Sequence, residues 1–319
     1  MPDTDSSFRV GLGQIAPVLL DREATLEKIC ASIRGAASQG CSIVAFGEAL
    51  LPGYPVWLGS TGGARFDDDV QKEYFRLYHD AAIQVEGADL ESVRQLAREH
   101  RIAIVLGCIE RAKNRGGHSL YCTALYVDQD GETGSAHRKL VPTYEERLVW
   151  SPGDGHGLRV HDLGPFTAGV LNCWENWMPL ARASLHAQGE DLHFAIWPGS
   201  VRNTRDLTPV LAKEGRSFVV SVGAPLRRRD LPDDFPQRDA IAPHDSAWIH
   251  DGGSCVAAPD GSWVVEPIVE EEGTFVATLD PPMVARERQN FDPSGHYSRP
   301  DVLRLEVNRC RQEACTWIE

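Results

Sequence analysis

The stretch Phe166–Trp177, FTAGVLNCWENW, carries the decisive reading of this chain. Phe166 to Leu171 is a short, mostly apolar run of the length of a buried strand, and the residues after it can start a helix. Cys173 sits between the two, flanked by Asn172 and Trp174, with Glu175 two positions on. A thiol at the end of a buried strand and ahead of a helix N-terminus is well placed for nucleophilic chemistry. The helix dipole and free backbone N–H groups favour its thiolate and any developing anion. A free cysteine is about as often a small buried hydrophobe, so other stretches must decide.

Outward from this segment, apolar strands alternate with amphipathic helices in both halves. Phe8–Ile15, Ser42–Phe46, Ile102–Cys108, Leu192–Ile196 and Ser217–Val222 read as strands. Asp21 can cap a helix to about Ser38, where Leu26, Ile29, Cys30, Ile33 and Ala37 recur at helical steps. Further helices are expected over about 67–82, 89–100, 178–188 and 206–215. Asp130–Gly131 and Asp260–Gly261 mark hairpin turns. Arg227–Ile249, polar with several prolines, is expected as an exposed loop, and the last forty residues as an extended arm. This alternation argues for one α/β domain, with either a mixed sheet or two sheets between helix layers, and pattern alone leaves a Rossmann-like fold open. No GxGxxG follows a strand, so dinucleotide binding has no support.

The 319 residues are 42% apolar, ample for a core, and the formal net charge is −14. No basic stretch offsets that charge, which argues against nucleic-acid partners and an anionic membrane surface. The N-terminus has no basic and apolar regions in series, and no run reaches membrane-spanning length. The eight cysteines form no CxxC pair, and the eleven histidines form no HExxH or HxH cluster. The cysteines therefore read as reduced, cytoplasmic thiols, and no metal is expected.

Three more positions carry chemistry. Glu48 follows the apolar strand SIVAF, where enclosure can raise a carboxyl into the range of a useful base. Lys139, in HRKLVP, is a cation that could stabilise an anionic intermediate if enclosed. Glu146 lies seven residues on, in TYEERLVW. Taken singly, each reads better as an ordinary surface charge.

Together, four stretches resemble the nitrilase family, within the carbon–nitrogen hydrolase superfamily: FGEALLPGYPVW, HRKLVPTYEERLVWSPGDG, LNCWENWMPLARASL and FDPSGHYSRPD. They occur in the family's order from residue 46 to 301. Gly47 stands where many relatives have proline. The resemblance implies an α-β-β-α sandwich that pairs into an αββα-αββα dimer core, with residues 1–280 as the hydrolase domain and 281–319 as an arm of the same unit. It implies Glu48 as general base, Lys139 as electrostatic stabiliser, Cys173 as nucleophile and Glu146 as an orienting carboxylate. It also implies a small-molecule nitrile substrate, no cofactor, and a homodimer or larger assembly. Tyr54, Trp174 and Trp197, close to the matched stretches, are expected in the substrate pocket. The rivals are an amidase of the same superfamily, a nitrile-hydrating activity that stops at the amide, and a non-catalytic assembly protein. A papain-like hydrolase fits poorly, because no histidine is an evident partner for Cys173.

Overall fold

The computed structural model describes residues 8–244, 248–315 and 318. The first half of the chain supplies β1 (Phe8–Gln14), β2 (Ile43–Phe46), β3 (Ala103–Arg111), β4 (Leu120–Val127) and β5 (Thr133–Arg138). The second supplies β6 (His161–Leu163), β7 (Phe166–Asn172), β8 (Leu192–Trp197), β9 (Phe218–Gly223), β10 (Pro225–Arg227), β11 (Trp248–Ala257), β12 (Trp263–Val269) and β13 (Gly273–Leu279). They form a six-stranded sheet in the order β13-β1-β2-β3-β4-β5 and a seven-stranded sheet in the order β10-β11-β9-β8-β7-β6, with β12 on β11. Each sheet has a parallel centre, β1-β2-β3 and β7-β8-β9, flanked by antiparallel strands. The chain therefore adopts the arrangement of two sheets between helix layers.

The central strands read as unbroken apolar runs because both of their faces are covered. In β2, Ile43 and Ala45 line up with Val10 and Leu12 of neighbouring β1 and face the other sheet, where Val170, Phe194 and Val220 meet them. Val44 and Phe46 point the other way, onto Ile29, Ile33, Val93 and Leu96 of the helices Arg22–Ser38 and Glu91–His100. In β8, Phe194 and Ile196 enter the inter-sheet core, while Ala195 and Trp197 pack against Leu207 and Leu211 of the helix Leu207–Gly215. The layers run helix, sheet, sheet, helix. Asp21 caps the first helix by accepting from the Ala24 N–H.

Two expectations change. Arg227–Ile249 is not a free loop: Leu231, Phe235 and Ala242 are buried with Trp57 and Tyr74, and a short helix spans Arg238–Ile241. Its polar composition hid three apolar anchors spaced too irregularly to read; residues 245–247 lie outside the described residues. The terminal stretch begins with a helix, Pro282–Arg288, before continuing without regular structure. It lies back on the body, where Arg311 pairs with Asp154 at 3.1 Å and the Gln312 N–H donates to the same carboxylate at 2.9 Å.

Close backbone approach sets the position of Glu48. A Cβ on Gly107 would lie 2.1 Å from the Gly47 carbonyl oxygen, and one on Gly47 would lie 2.8 Å from that of Trp197. Only glycine permits β3 and the end of β8 to come this near. The Glu48 N–H then donates to the Trp197 carbonyl at 2.9 Å, joining the end of β2 in one sheet to the end of β8 in the other.

Candidate active site

Lys139 and Cys173 follow directly on the ends of β5 and β7, Glu48 lies two residues past the end of β2, and the fold brings them together from both sheets. All three are nearly fully buried. The Lys139 ammonium donates to Glu48 Oε1 at 3.0 Å and to Glu146 Oε2 at 2.7 Å. One oxygen each of Glu48 and Glu146 and the Cys173 sulfur lie within 4.8 Å of one another. That spacing would suit a cation, and Lys139 supplies an ammonium bonded to both carboxylates.

Glu146 is held twice. It is the third residue of the turn Tyr144–Leu148, where Thr143 and Glu146 form a reciprocal capping box, and its carboxylate accepts from the Thr143 N–H at 2.6 Å. Its other oxygen accepts from the Tyr54 hydroxyl at 2.9 Å. The T-x-x-E spacing in the sequence is the signal for the cap; the lysine contact has no local signature.

Cys173 opens a 3-10 turn, Cys173–Trp177, and the α-helix expected over 178–188 follows it at Pro179–His186. A second capping box explains the turn. Asn172 and Glu175 cap each other, with the Asn172 N–H donating to Glu175 Oε2 at 2.9 Å. The same buried carboxylate accepts from the Leu140 N–H at 2.6 Å and lies 3.1 Å from His137 Nε2. Glu175 thus ties the residue after Lys139 to the residue before Cys173 and sets the spacing between them. The paired donors, chiefly His137, hold its carboxyl below the usual range although burial alone would raise it. Cys173 itself adopts φ +44°, a left-handed conformation that costs a non-glycine residue about 1–2 kcal/mol. Such strain at a reactive residue persists only where the surroundings dictate it.

Burial decides the electrostatics. Loss of solvent pushes the Glu48 carboxyl up to about 8, against the pull of Lys139 and with the help of the Glu146 charge. Burial also raises the Cys173 thiol well above its ordinary range; the Glu48 charge adds to this, while Lys139 and the Trp174 N–H oppose it. For Lys139, burial favours the neutral amine, but the surrounding Glu48, Cys173 and Glu146 outweigh it and keep the ammonium. Glu48 Oε2 is buried without a hydrogen-bond partner. An unpaired acceptor beside a thiol is suited to taking its proton.

The thiol opens into a cavity of about 520 Å³ lined by Tyr54, Glu146, Trp174, Ser200, Asn203 and His250, among others. Other clefts of about 530 and 490 Å³ contain no cysteine in their walls. Tyr54 and Trp174 stand in the cavity wall. The Trp197 ring does not. As the last residue of β8 it points outward, opposite Ile196, and its ring is fully buried near Ser221, with Nε1 3.4 Å from the hydroxyl. The wall begins one residue later, at Pro198. Trp197 bears on the site through its backbone, as the acceptor for the Glu48 N–H.

The carbon–nitrogen hydrolase family model matches residues 9–289. The chain belongs to the carbon–nitrogen hydrolase family. Nitrilase 2 of Arabidopsis thaliana is 37% identical to this family member, with 97% of this chain and 91% of the relative aligned. A bifunctional nitrilase/nitrile hydratase of Nicotiana tabacum is 36% identical, over 96% of this chain and 88% of its own. Among solved structures, a nitrilase-superfamily protein of Saccharomyces cerevisiae, Nit3, superposes with a TM-score of 0.70 at 19% identity, covering 91% of this hydrolase chain and 96% of its own. The sandwich of two sheets between helix layers is thus the fold of the superfamily.

Proposed function

We propose that this protein is a nitrilase, converting an organic nitrile to its carboxylate and ammonia through covalent intermediates on Cys173. The observation that carries the reading is the Lys139 ammonium held between two buried carboxylates, beside a cysteine at the floor of a cavity. The near full-length likeness to nitrilases selects the nitrile among the substrates such a site could take.

A nitrile carbon is a weak electrophile, and a thiolate is well suited to add to it. Glu48 takes the Cys173 proton, the sulfur attacks the nitrile carbon, and the proton passes to nitrogen, giving a thioimidate. Water then adds to that carbon, with Glu48 accepting its proton and returning it to nitrogen. The tetrahedral intermediate develops negative charge, which Lys139 and the Trp174 N–H stabilise. Loss of ammonia leaves a thioester, and a second water releases the carboxylate and restores the thiol. If the intermediate expels sulfur instead of nitrogen, the product is the amide. Glu146 keeps Lys139 in place and charged, and Tyr54 and Trp174 form part of the substrate wall. Residues 1–280 act as the catalytic domain, with 281–319 an arm of the same unit. We place the enzyme in the cytoplasm as a homodimer or larger assembly; exposed Trp177, Leu180 and Val210 offer apolar surface for pairing. No helix among the described residues is long and apolar enough to cross a membrane.

The test is ammonia release from aryl, arylacetic and aliphatic nitriles, with the matching amides run beside them. Nitrile turnover exceeding amide turnover is expected. Amide turnover alone would make the protein an amidase, and inactivity of folded protein on every compound would favour the assembly role.

The raised Glu48 carboxyl sets a pH dependence. The base must be ionised, so kcat/KM should fall as pH drops through about 8. Glu48→Gln should remove activity and flatten the residual profile. Stability moves the other way: a carboxyl whose folded-state pKa lies above its unfolded value is stabilising when protonated, an effect complete below the unfolded value and lost as pH rises through about 8. Glu48→Gln stays neutral, so its thermal midpoint should gain on the wild type between pH 5 and 9. A rate independent of pH from 6 to 9 would contradict this assignment.

A further inference from the structure

Behind Cys173 lies a line of buried polar groups that touch no substrate. Asn176 Nδ2 donates to the Cys173 carbonyl at 2.8 Å and to the Leu171 carbonyl at 3.3 Å. Its Oδ1 lies 2.7 Å from His193 Nε2, and His193 Nδ1 lies 2.8 Å from Glu190 Oε1. All three side chains are buried. Room for the Glu190 carboxylate is made by Gly169 on β7, where a Cβ would lie 2.1 Å from Oε1.

Donor counting orients this line. Carbonyls only accept, so the two facing Asn176 fix its NH₂ toward them and leave Oδ1 as an acceptor. His193 Nε2 must therefore carry hydrogen. Nδ1 faces a carboxyl oxygen at hydrogen-bond distance, and two lone pairs do not meet that closely, so a second proton lies between His193 and Glu190. Each group is thereby committed to one direction: Glu190 holds His193, His193 holds Asn176, and Asn176 holds the carbonyl of Cys173.

The held carbonyl belongs to the peptide that joins Cys173 to Trp174. A trans peptide is planar, with its C=O and N–H pointing in opposite directions. Pulling the carbonyl back toward Asn176 turns the Trp174 N–H forward, to the side of the Cys173 sulfur. The left-handed backbone of Cys173 makes such an anchor necessary, since a relaxed turn would rotate this peptide.

We propose that Glu190, His193 and Asn176 form a positioning relay that locks the Cys173–Trp174 peptide and so aims the Trp174 N–H at the anion developing on the substrate. This rests on the reading of Cys173 as the nucleophile of a nitrilase. Asn176→Ala and His193→Leu should lower kcat by about 100-fold, as loss of one donor to an oxyanion does, with KM within about twofold. His193→Gln, whose amide can still donate to Asn176, should recover most of that loss.

The test pairs turnover with binding of [1-13C]benzaldehyde and [1-13C]butanal, followed by carbon NMR. Addition of the thiol to the aldehyde forms the S–C bond, and the carbonyl oxygen takes up the thiol proton, giving a hemithioacetal without redox change. Its oxygen should meet the same N–H, so Kd should rise by about 100-fold in Asn176→Ala and His193→Leu and recover in His193→Gln. Equal aldehyde affinity across the variants would overturn the relay, as would a His193→Gln variant no better than His193→Leu. An aldehyde adduct that depends on the relay in a protein inactive on all nitriles and amides would overturn the nitrilase reading alone. No adduct even on the wild type would overturn both. If His193→Leu does not fold, Asn176→Ala, which leaves the His193–Glu190 pair intact, carries the test.

Discussion

Cys173→Ala should reduce nitrile turnover by on the order of 10⁵-fold or more, to the background of an enzyme without its nucleophile. Every covalent intermediate in the proposed reaction is a bond to this sulfur, and the neighbouring charges have no substitute for it. Of the other seven cysteines, Cys122, the one nearest in the network, is fully buried behind Asn172, with its sulfur 3.9 Å from Asn172 Oδ1 and outside the cavity wall. Stability should change little, about 1 kcal/mol or less, because one small atom is lost from a packed cluster. Cys173→Ser should not rescue activity, since a hydroxyl is a far weaker acid than the thiol and Glu48 cannot ionise it. Ammonia release and a thermal melt on the same preparations check both halves. Turnover within tenfold of the wild type would remove Cys173 from the mechanism.

Lys139→Met should damage activity and folding together, where Cys173→Ala damages activity alone. The ammonium is the cation bonded to Glu48 and Glu146, and all three side chains are shielded from water. Removing one partner of a buried ion pair costs about 3–5 kcal/mol, because the remaining charge is stranded. Here the Glu146 charge is stranded, with Glu48 beside it. Glu48 would also lose the attraction that restrains its rise, so it would hold its proton more firmly and serve less well as a base. The expected loss of activity is on the order of 10³-fold or more. A double substitution, Lys139→Met with Glu146→Gln, separates the two effects: it should regain much of the lost stability in urea melts and none of the lost activity. A single mutant as stable as the wild type would mean that the site is not held together by this ammonium.

Much of this was legible in the sequence, and the reasons differ by element. The central strands could be read because burial on both faces leaves continuous apolar runs, and the first helix because Asp21 and the spacing of Leu26, Ile29 and Ile33 mark its start and its buried face. Cys173, Glu48 and Lys139 could be marked as candidates because each lies just past the end of a strand, and their roles came from the resemblance of the surrounding stretches to the nitrilase family. Their convergence could not be read from spacing, since it depends on how one sheet lies on the other. Trp197 was misplaced because its side depends on strand parity: Ile196 faces the inter-sheet core, so Trp197 must face the helices. The roles of Glu175, Asn176 and His193 were invisible for another reason. Their partners lie on separate strands and turns, and only the Asn172-x-x-Glu175 spacing hints at a local cap.

The hydrogen bond from the Glu48 N–H to the Trp197 carbonyl joins the two sheets where the reactive groups meet. Its consequence reaches back to the birth of the chain on the ribosome. Glu48 and Lys139 emerge first and belong to one sheet; Cys173 emerges later and belongs to the other. Until the second sheet docks, the newly made thiol stands apart from Glu48 and Lys139, the base and cation proposed for it. In the proposed mechanism, catalysis on Cys173 therefore begins only with the completed sandwich, and an unfinished chain carries no working site.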